Sequence, residues 1–414
     1  MATFRPFPAV RPLPEYAAQV AALPYDVMNS TEARAYVQGN PHCFMRIDRA
    51  EVNLPEGTNP YAPEVYAEAK TQLERLSAES VCRQDPVPYL YIYRQRRNGR
   101  SQTGLVGCAS VDDYQSGTIK RHEFTRADKE QDRIRHVDTL EANTGPIFLT
   151  YRKQPEITQL VEEWQAAHKP VYDFVADGVA QTVWVIDCPR TIAQIQALFG
   201  QVESLYIADG HHRAASAVKV GLKRREQYPG YTGDEEFNFF LAVLFAQDEL
   251  EIMDYNRVVK DLNGLTAAQF LEATQGSFTV EALDGKAPYK PQAAHTFGMF
   301  LEGRWYKLTA KTGSFPENDP VASLDVSILQ DNLLAPILGI GDPRTDKRID
   351  FVGGIRGLGE LERRATADMA LAFSLCPTTL DALMAIADAG EVMPPKSTWF
   401  EPKLLSGLFV HLLK

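Results

Sequence analysis

The segment Leu205-Tyr206-Ile207-Ala208-Asp209-Gly210-His211-His212-Arg213 decides how the chain is read. Four apolar residues stop at an acid and a glycine. After them Ala214, Ala215, Ala217, Val218 and Leu222 recur at helical spacing. The pattern predicts a short buried strand, a tight turn, and a helix that begins at once. A helix start leaves four N–H groups without internal partners and carries roughly half a positive charge. Gly210 lets a ligand approach the backbone, and Arg213 can fork onto two oxygens, so the turn is a natural seat for phosphate. A plainer reading stands beside it: Asp209 only caps the helix, Arg213 pairs with a surface carboxylate, and the histidines are solvated. Two adjacent histidines directly behind a buried strand weigh towards the oxyanion site.

Strands and helices alternate on both sides of this turn. Val65, Tyr66, Ala69, Leu73 and Leu76 define one face of a helix starting near Pro60. Tyr89-Leu90-Tyr91-Ile92-Tyr93, the turn signal Asn98-Gly99 and the run from Gly104 to Val111 predict a hairpin. Further strands are expected at Ile147 to Leu149, Val183 to Ile186 and Phe239 to Phe245, the last apolar throughout, as a central strand is. Beyond about residue 260 come a helix, a hairpin at Glu302-Gly303, another helix near Leu324 to Leu334 and an alternating finish. The fold class is therefore α/β, of the mixed α+β kind. With 414 residues and about 100–200 residues per domain, two regions are expected. Residues 1–260 would form the phosphate-binding core with insertions, and residues 261–414 an α+β region completing or covering the site.

A second cluster, Arg121-His122-Glu123-Phe124-Thr125-Arg126, places a base, a carboxylate, a hydroxyl and guanidinium groups within a few residues. Position 126 is arginine, so the zinc-protease pattern H-E-x-x-H fails. From Ala127 onward, with Lys129, Glu130, Asp132 and Arg133, the expectation is a solvated charged helix. Gly353-Gly354-Ile355-Arg356-Gly357-Leu358-Gly359 matches no nucleotide signature; a structural turn is the weightier reading, beside a second phosphate cradle of backbone N–H groups. Near the end, Lys396, Ser397, Thr398 and Lys403 gather cations and hydroxyls in a proline-stiffened loop, which reads equally as a phosphate contact or as plain surface.

Composition narrows the function. A net charge of -11 argues against a general nucleic-acid surface while leaving room for a local cationic pocket. Cys43, Cys82, Cys108, Cys188 and Cys376 are odd in number and never form C-x-x-C, which suits free thiols in a cytoplasmic protein. Cys43, Cys108 and Cys188 sit among apolar residues and read as core thiols. No apolar run approaches the ~18 residues of a membrane span, so no membrane partner is expected.

Several stretches together resemble one family: Pro24-Tyr25-Asp26-Val27; His122-Glu123-Phe124-Thr125 with Asp132-Arg133; Ala208-Asp209-Gly210-His211-His212-Arg213; and Met393-Pro394-Pro395-Lys396-Ser397-Thr398 with Pro402-Lys403 and Ser406-Gly407-Leu408. The resemblance is to the domain of unknown function 1015 family, and it spans nearly the whole chain. That family looks like a relative of the ParB/sulfiredoxin superfamily, which implies a ParB/sulfiredoxin-like mixed-sheet core. The superfamily includes free-serine kinases that use ADP, ATP or pyrophosphate. The resemblance implies phosphoryl transfer to the hydroxyl of free L-serine, giving O-phosphoserine, with Mg²⁺ bridging the phosphates and pyrophosphate or ADP/ATP as co-substrate. Alternatives are a phosphoserine phosphatase, a ParB-like phosphoesterase or nuclease, and a non-catalytic nucleotide-binding regulator. The expected catalytic set is Glu123, His122, Asp26 and Asp209. Phosphate would be held by Gly210, His211, His212, Arg213, Arg126 and Thr125, and substrate by Tyr25, Lys396, Ser397, Thr398 and Lys403. Metal ligands and oligomeric state are not assigned from sequence.

Overall fold

The computed structural model describes residues 1–414 apart from Arg126 and Lys286 and the side chain of Asp128. Two compact units emerge. One comprises residues 1–121, 125–250 and 402–414, the other residues 122–124 and 251–401. The second unit is thus built mainly from residues 251–401, and residues 402–414 return to the first. Both units mix helices with sheets, and the class is α+β. Among the described residues no helix is long and apolar enough to cross a membrane.

The first unit is organised by a nine-stranded mixed sheet. Its centre is Phe239–Ala246, buried at every residue. That strand runs parallel to Ile147–Tyr151 and antiparallel to Arg100–Ser110. Continuous burial explains the unbroken apolar run, since both faces are covered. Leu90–Arg97 and Arg100–Ser110 form the predicted hairpin. Asn98 (φ 49°) and Gly99 (φ 80°) supply the two left-handed residues that a tight two-residue turn needs.

Leu205–Asp209 lies antiparallel to Ile147–Tyr151, and its register slips between Ile207 and Asp209. A slip of this kind re-aims the side chain at a strand end, here Asp209. The helix His211–Gln227 follows and buries Ala214, Ala215, Ala217 and Val218 against the sheet. Gly221 belongs there because a Cβ would stand 2.5 Å from the Phe237 carbonyl.

The helix Ala127–Leu140 departs from expectation. It packs against both Pro63–Ala78 and His211–Gln227, so Glu130, Asp132, Arg133 and His136 are buried, not solvated. Charge density in the sequence concealed this, because Glu130, Asp132 and His136 find partners on remote segments, in Lys219, Tyr66 and Asp48. Cys188 is a second correction. It is only half-buried, at the start of Pro189–Phe199, where N–H groups of Thr191 and Arg190 hold its thiol below the usual range. The strand Tyr172–Ala176 and the helix Leu380–Asp388 had no sequence expectation.

The second unit carries a six-stranded antiparallel sheet in the order Phe278–Ala282, Arg304–Ala310, Thr296–Leu301, Leu371–Leu375, Tyr255–Val259, Ile349–Gly353. The helix Leu358–Ala367 covers one face, closing a core of Val258, Phe300, Trp305, Val352, Leu361 and Ala372. Fully burying such side chains is worth about 1.5–3 kcal/mol each. Asp325–Leu329 runs into a π-helical turn, Gln330–Leu334, in place of one uniform helix. Gly353 and Gly354 serve packing. Added Cβ atoms would meet the Trp399 ring at 2.9 Å and Asp254 Oδ1 at 2.5 Å.

Candidate functional site

In the first unit the site grows from the end of Leu205–Asp209. Gly210 takes φ 92°, a left-handed conformation that favours glycine, and becomes the N-cap of the helix. It offers no side chain to cap the first turn. The amides of this end are the groups a ligand oxygen would meet.

Three charged side chains converge at the turn. Arg213 donates from Nη1 to the Pro146 carbonyl and from Nη2 to Asp209 Oδ2 at 3.1 Å. Lys403 Nζ stands 3.6 Å from the other oxygen, Asp209 Oδ1. Burial alone would raise the Asp209 carboxyl. Lys403, Arg213 and His211 outweigh it and hold the group down at about 2. Asp209 is therefore ionised at any physiological pH and a poor proton acceptor. Gly145 completes the wall, with Arg213 and Ser406 within 3.5 Å of the place a side chain would occupy.

Behind Arg213 lies a cavity of about 30 Å³ whose lining includes Tyr25, Asp48, Arg133, His136, Thr144 and Ser406. That volume holds a water or two, too little for an amino acid or a nucleotide. It is the polar backing of the site. Arg133 lies 4.0 Å from the centre of the Tyr25 ring and 2.9 Å from Asp132 Oδ2, which also accepts from Tyr66 through its other oxygen. Thr144 Oγ1 donates to Asp48 Oδ1 at 2.8 Å, and His136 Nε2 is 3.6 Å from the same oxygen. Burial favours the neutral form of both Asp48 and His136. For Asp48, hydrogen bonds from His136 and Ser406 prevail and hold the carboxyl low. For His136, burial and Arg133 prevail and keep the ring neutral.

Thr125 donates to Glu130 Oε2 at 2.7 Å, and Lys219 pairs with the other oxygen of Glu130. This ties Thr125 to the helix that begins at His211. Arg126, expected as a phosphate clamp, lies outside the described residues. Asp26 is exposed in the turn after Pro24, and the backbone beside it is fixed by Arg49, which donates to the Tyr25 and Met28 carbonyls.

His211 and His212, the first residues of the helix, also belong to the first unit, and the other expected residues belong to the second. His122, Glu123, Lys396, Ser397 and Thr398 are there. The Met393 amide donates to the His122 carbonyl at 2.8 Å, so the two sequence motifs meet. Ser397 is buried and donates to the Pro394 carbonyl, while Lys396 is exposed with φ 62°.

The sequence thus brought forward Asp209, Gly210, Arg213, Tyr25, Thr125 and Lys403, which the first unit gathers. It missed Asp48, Arg133, His136 and Thr144 as members of the site. Arg133 and Ser406 did lie inside the quoted motifs. Asp48 and His136 carried no local signal, because only the fold brings them together.

The site thus combines a cationic helix start with an ionised carboxylate at the end of a strand of a mixed sheet. The family is clear from the sequence: residues 4–327 match the model described as "Protein of unknown function (DUF1015)", and the chain belongs to that family. A search of curated proteins finds no match. Among solved structures the chain is similar to a mutant free serine kinase in complex with AMP, at 14% identity and a TM-score of 0.38, covering 71% of this chain and 87% of that one. It is also similar to a conserved hypothetical protein from Pyrococcus furiosus, at 16% identity and a TM-score of 0.36, covering 73% of this chain and 94% of that one. A third is SbnI with C-terminal truncation from Staphylococcus aureus, at 12% identity and a TM-score of 0.37, covering 73% of this chain and 85% of that one.

Proposed function

We propose that the protein is a phosphotransferase that moves a phosphoryl group from pyrophosphate, ADP or ATP to the hydroxyl of free L-serine, giving O-phosphoserine. The observation that carries this reading is the ionised Asp209 held between Arg213 and Lys403 at an uncapped helix start. Phosphoryl transfer needs little covalent help. It needs cationic donors around the phosphate oxygens and a hard carboxylate for a divalent ion. This turn offers both within one cluster.

Asp209 suits Mg²⁺, which favours carboxylate oxygen, and Mg²⁺ would supply neutralisation of phosphate charge. Arg213, Lys403 and the amides of residues 211–213 would orient the donor phosphates. We assign His212 and Thr125 as further phosphate contacts. The serine proton needs a base other than Asp209, whose carboxyl is held low by Lys403, Arg213 and His211. We assign that role to Glu123, with Asp26 second, His122 as its companion, and Lys396, Ser397, Thr398 and Tyr25 as substrate contacts. The choice of serine as acceptor follows the motif resemblance set out from sequence.

The test is incubation of the protein with L-serine and, in separate reactions, pyrophosphate, ADP or ATP with Mg²⁺, reading O-phosphoserine by mass spectrometry. Formation of O-phosphoserine with one donor supports the reading and names the donor. Phosphate release that is equally fast without serine would assign a phosphoesterase. Donor binding without turnover would assign a regulator.

A further inference from the structure

The second unit contains a buried cation that nothing above uses. Arg257 lies in Tyr255–Val259, is 4% exposed, and has no carboxylate partner among the described residues. Its guanidinium donates only to main-chain carbonyls, Nη1 to Tyr255 and Nη2 to Lys396 at 3.1 Å. It also stands 5.4 Å from the centre of the Phe351 ring. Burial pulls it down to about 10, so it remains charged at neutral pH.

A buried charge without a counter-ion is expensive, and proteins pair such groups or bring them a ligand. Backbone carbonyls offset part of that cost, since their dipoles point at the cation, but they leave its net charge in place. The segment over Arg257 supplies a second cation. Lys396 sits in a left-handed turn, φ 62°, with Nζ 5.6 Å from the centre of the Tyr255 ring. Tyr255 in turn packs edge-on against Trp399, at 5.0 Å, and Phe351, at 5.9 Å. Arg257 and Lys396 therefore lie against one aromatic group. The carboxylate carried by this segment, Glu401, accepts from the Trp399 indole at 3.2 Å. Ser397 and Thr378 brace the turn through carbonyl hydrogen bonds.

We propose that Arg257, with Lys396, forms an oxyanion-binding site in the second unit, which takes the phosphate or carboxylate group of a small molecule. Arg257 supplies the desolvated charge and Lys396 an exposed one. The proposal does not rest on the phosphotransfer reading of the first unit. The two share Lys396 as a contact, but Arg257 belongs to this site alone, so Arg257→Met tells one failure from the other.

The experiment measures binding to the whole protein of orthophosphate and pyrophosphate in one arm, and of acetate and L-serine in the other, by calorimetry. Three proteins are compared: the parent, Arg257→Met, and Arg213→Met as the control for the first site. Loss of about tenfold in affinity for one arm in Arg257→Met, the scale of one charge-assisted hydrogen bond, supports the proposal and tells phosphate from carboxylate. Arg213→Met should lose only the anion held at the helix start and retain the binding step that Arg257→Met loses. If every anion binds Arg257→Met as tightly as the parent, Arg257 is only a staple for the Lys396 turn and the proposal falls. Should Arg257→Met fail to fold, Lys396→Met decides, because it keeps the carbonyl that Arg257 uses. Weaker anion binding then supports the site, and unchanged binding overturns it.

Discussion

Arg133 in the first unit and Arg257 in the second are both buried, at 8% and 4% exposure, yet the protein treats them differently. Arg133 meets a full carboxylate, Asp132, and lies near a second, Asp48. Burial opposes its charge, and these groups with Tyr25 more than restore it. Arg257 meets two carbonyl dipoles and the Phe351 ring, and no carboxylate among the described residues. The contrast extends to acids. Asp209 is flanked by two cations, whereas one oxygen of Asp325 in the second unit is buried with no hydrogen-bond partner. The second unit does compensate Asp254, through Asn256 and Lys290, so its open charges are particular ones. The difference teaches that a compensated ion supports the fold by itself. An uncompensated one costs stability until an anion, a cation or a proton arrives.

The largest expected effect tests that contrast directly. Arg133→Met should cost about 3–5 kcal/mol, because it strands a buried carboxylate. Arg257→Met, in anion-free buffer, should cost about 1 kcal/mol, the net worth of its carbonyl hydrogen bonds. Urea midpoints of the two variants check this, and equal losses would erase the distinction. Next in size, Arg213→Ala should weaken pyrophosphate or nucleotide binding by about 1.5–3 kcal/mol, the value of a charge-assisted pair. Calorimetric affinity equal to the parent would remove the phosphate role from Arg213.

Acid sharpens the account of Asp209. Its ordinary value is 3.8 and its folded value about 2, so the folded state favours the ionised form. The stability gained is present above the unfolded value and is lost as pH falls from about 4 through about 2, on the order of 2 kcal/mol. Denaturant titrations across that window should show the loss in the parent, and Asp209→Asn should lack this component. A parent curve that is flat there, or a variant that keeps the full slope, would mean the carboxyl is not held down.

Much of the fold was legible because the apolar period changes cleanly from two to three or four residues. The strand–turn–helix at Ala208, the hairpin at Asn98-Gly99 and the central strand Phe239–Ala246 all follow from local pattern. What stayed hidden is what only tertiary pairing creates. Arg133 and His136 lie on a helix whose composition reads as solvated, and Asp48 lies on a one-turn helix, Met45–Asp48, far away in sequence. Arg257 was missed for the opposite reason. One arginine in a strand of otherwise apolar and amide residues carries no motif, and its significance is the absence of a partner.

The smallest effect concerns Asp325, and it tests the second unit without any ligand. Its Oδ1 accepts from the His295 amide at 2.7 Å, at a backbone position with φ 63°, while Oδ2 is buried with no hydrogen-bond partner. Burial pushes this carboxyl up from 3.8 to about 6, against the opposing pull of the His295 amide. A raised value means the folded state binds the proton more tightly than the unfolded chain does. The resulting stability is complete below 3.8 and disappears as pH rises through about 6. At pH above 7 the fold therefore carries an ionised carboxylate at a cost. Asp325→Asn removes that charge and keeps an oxygen for the His295 amide. The gain is offset in part because a neutral acceptor bonds less strongly than a carboxylate. The net expectation is a variant about 1 kcal/mol more stable than the parent near pH 7.5, with the advantage vanishing below pH 5. Urea midpoints at the two pH values decide it. A variant weaker than the parent at pH 7.5 would show that the ionised carboxylate is compensated after all, by a group that the present geometry does not place beside Oδ2.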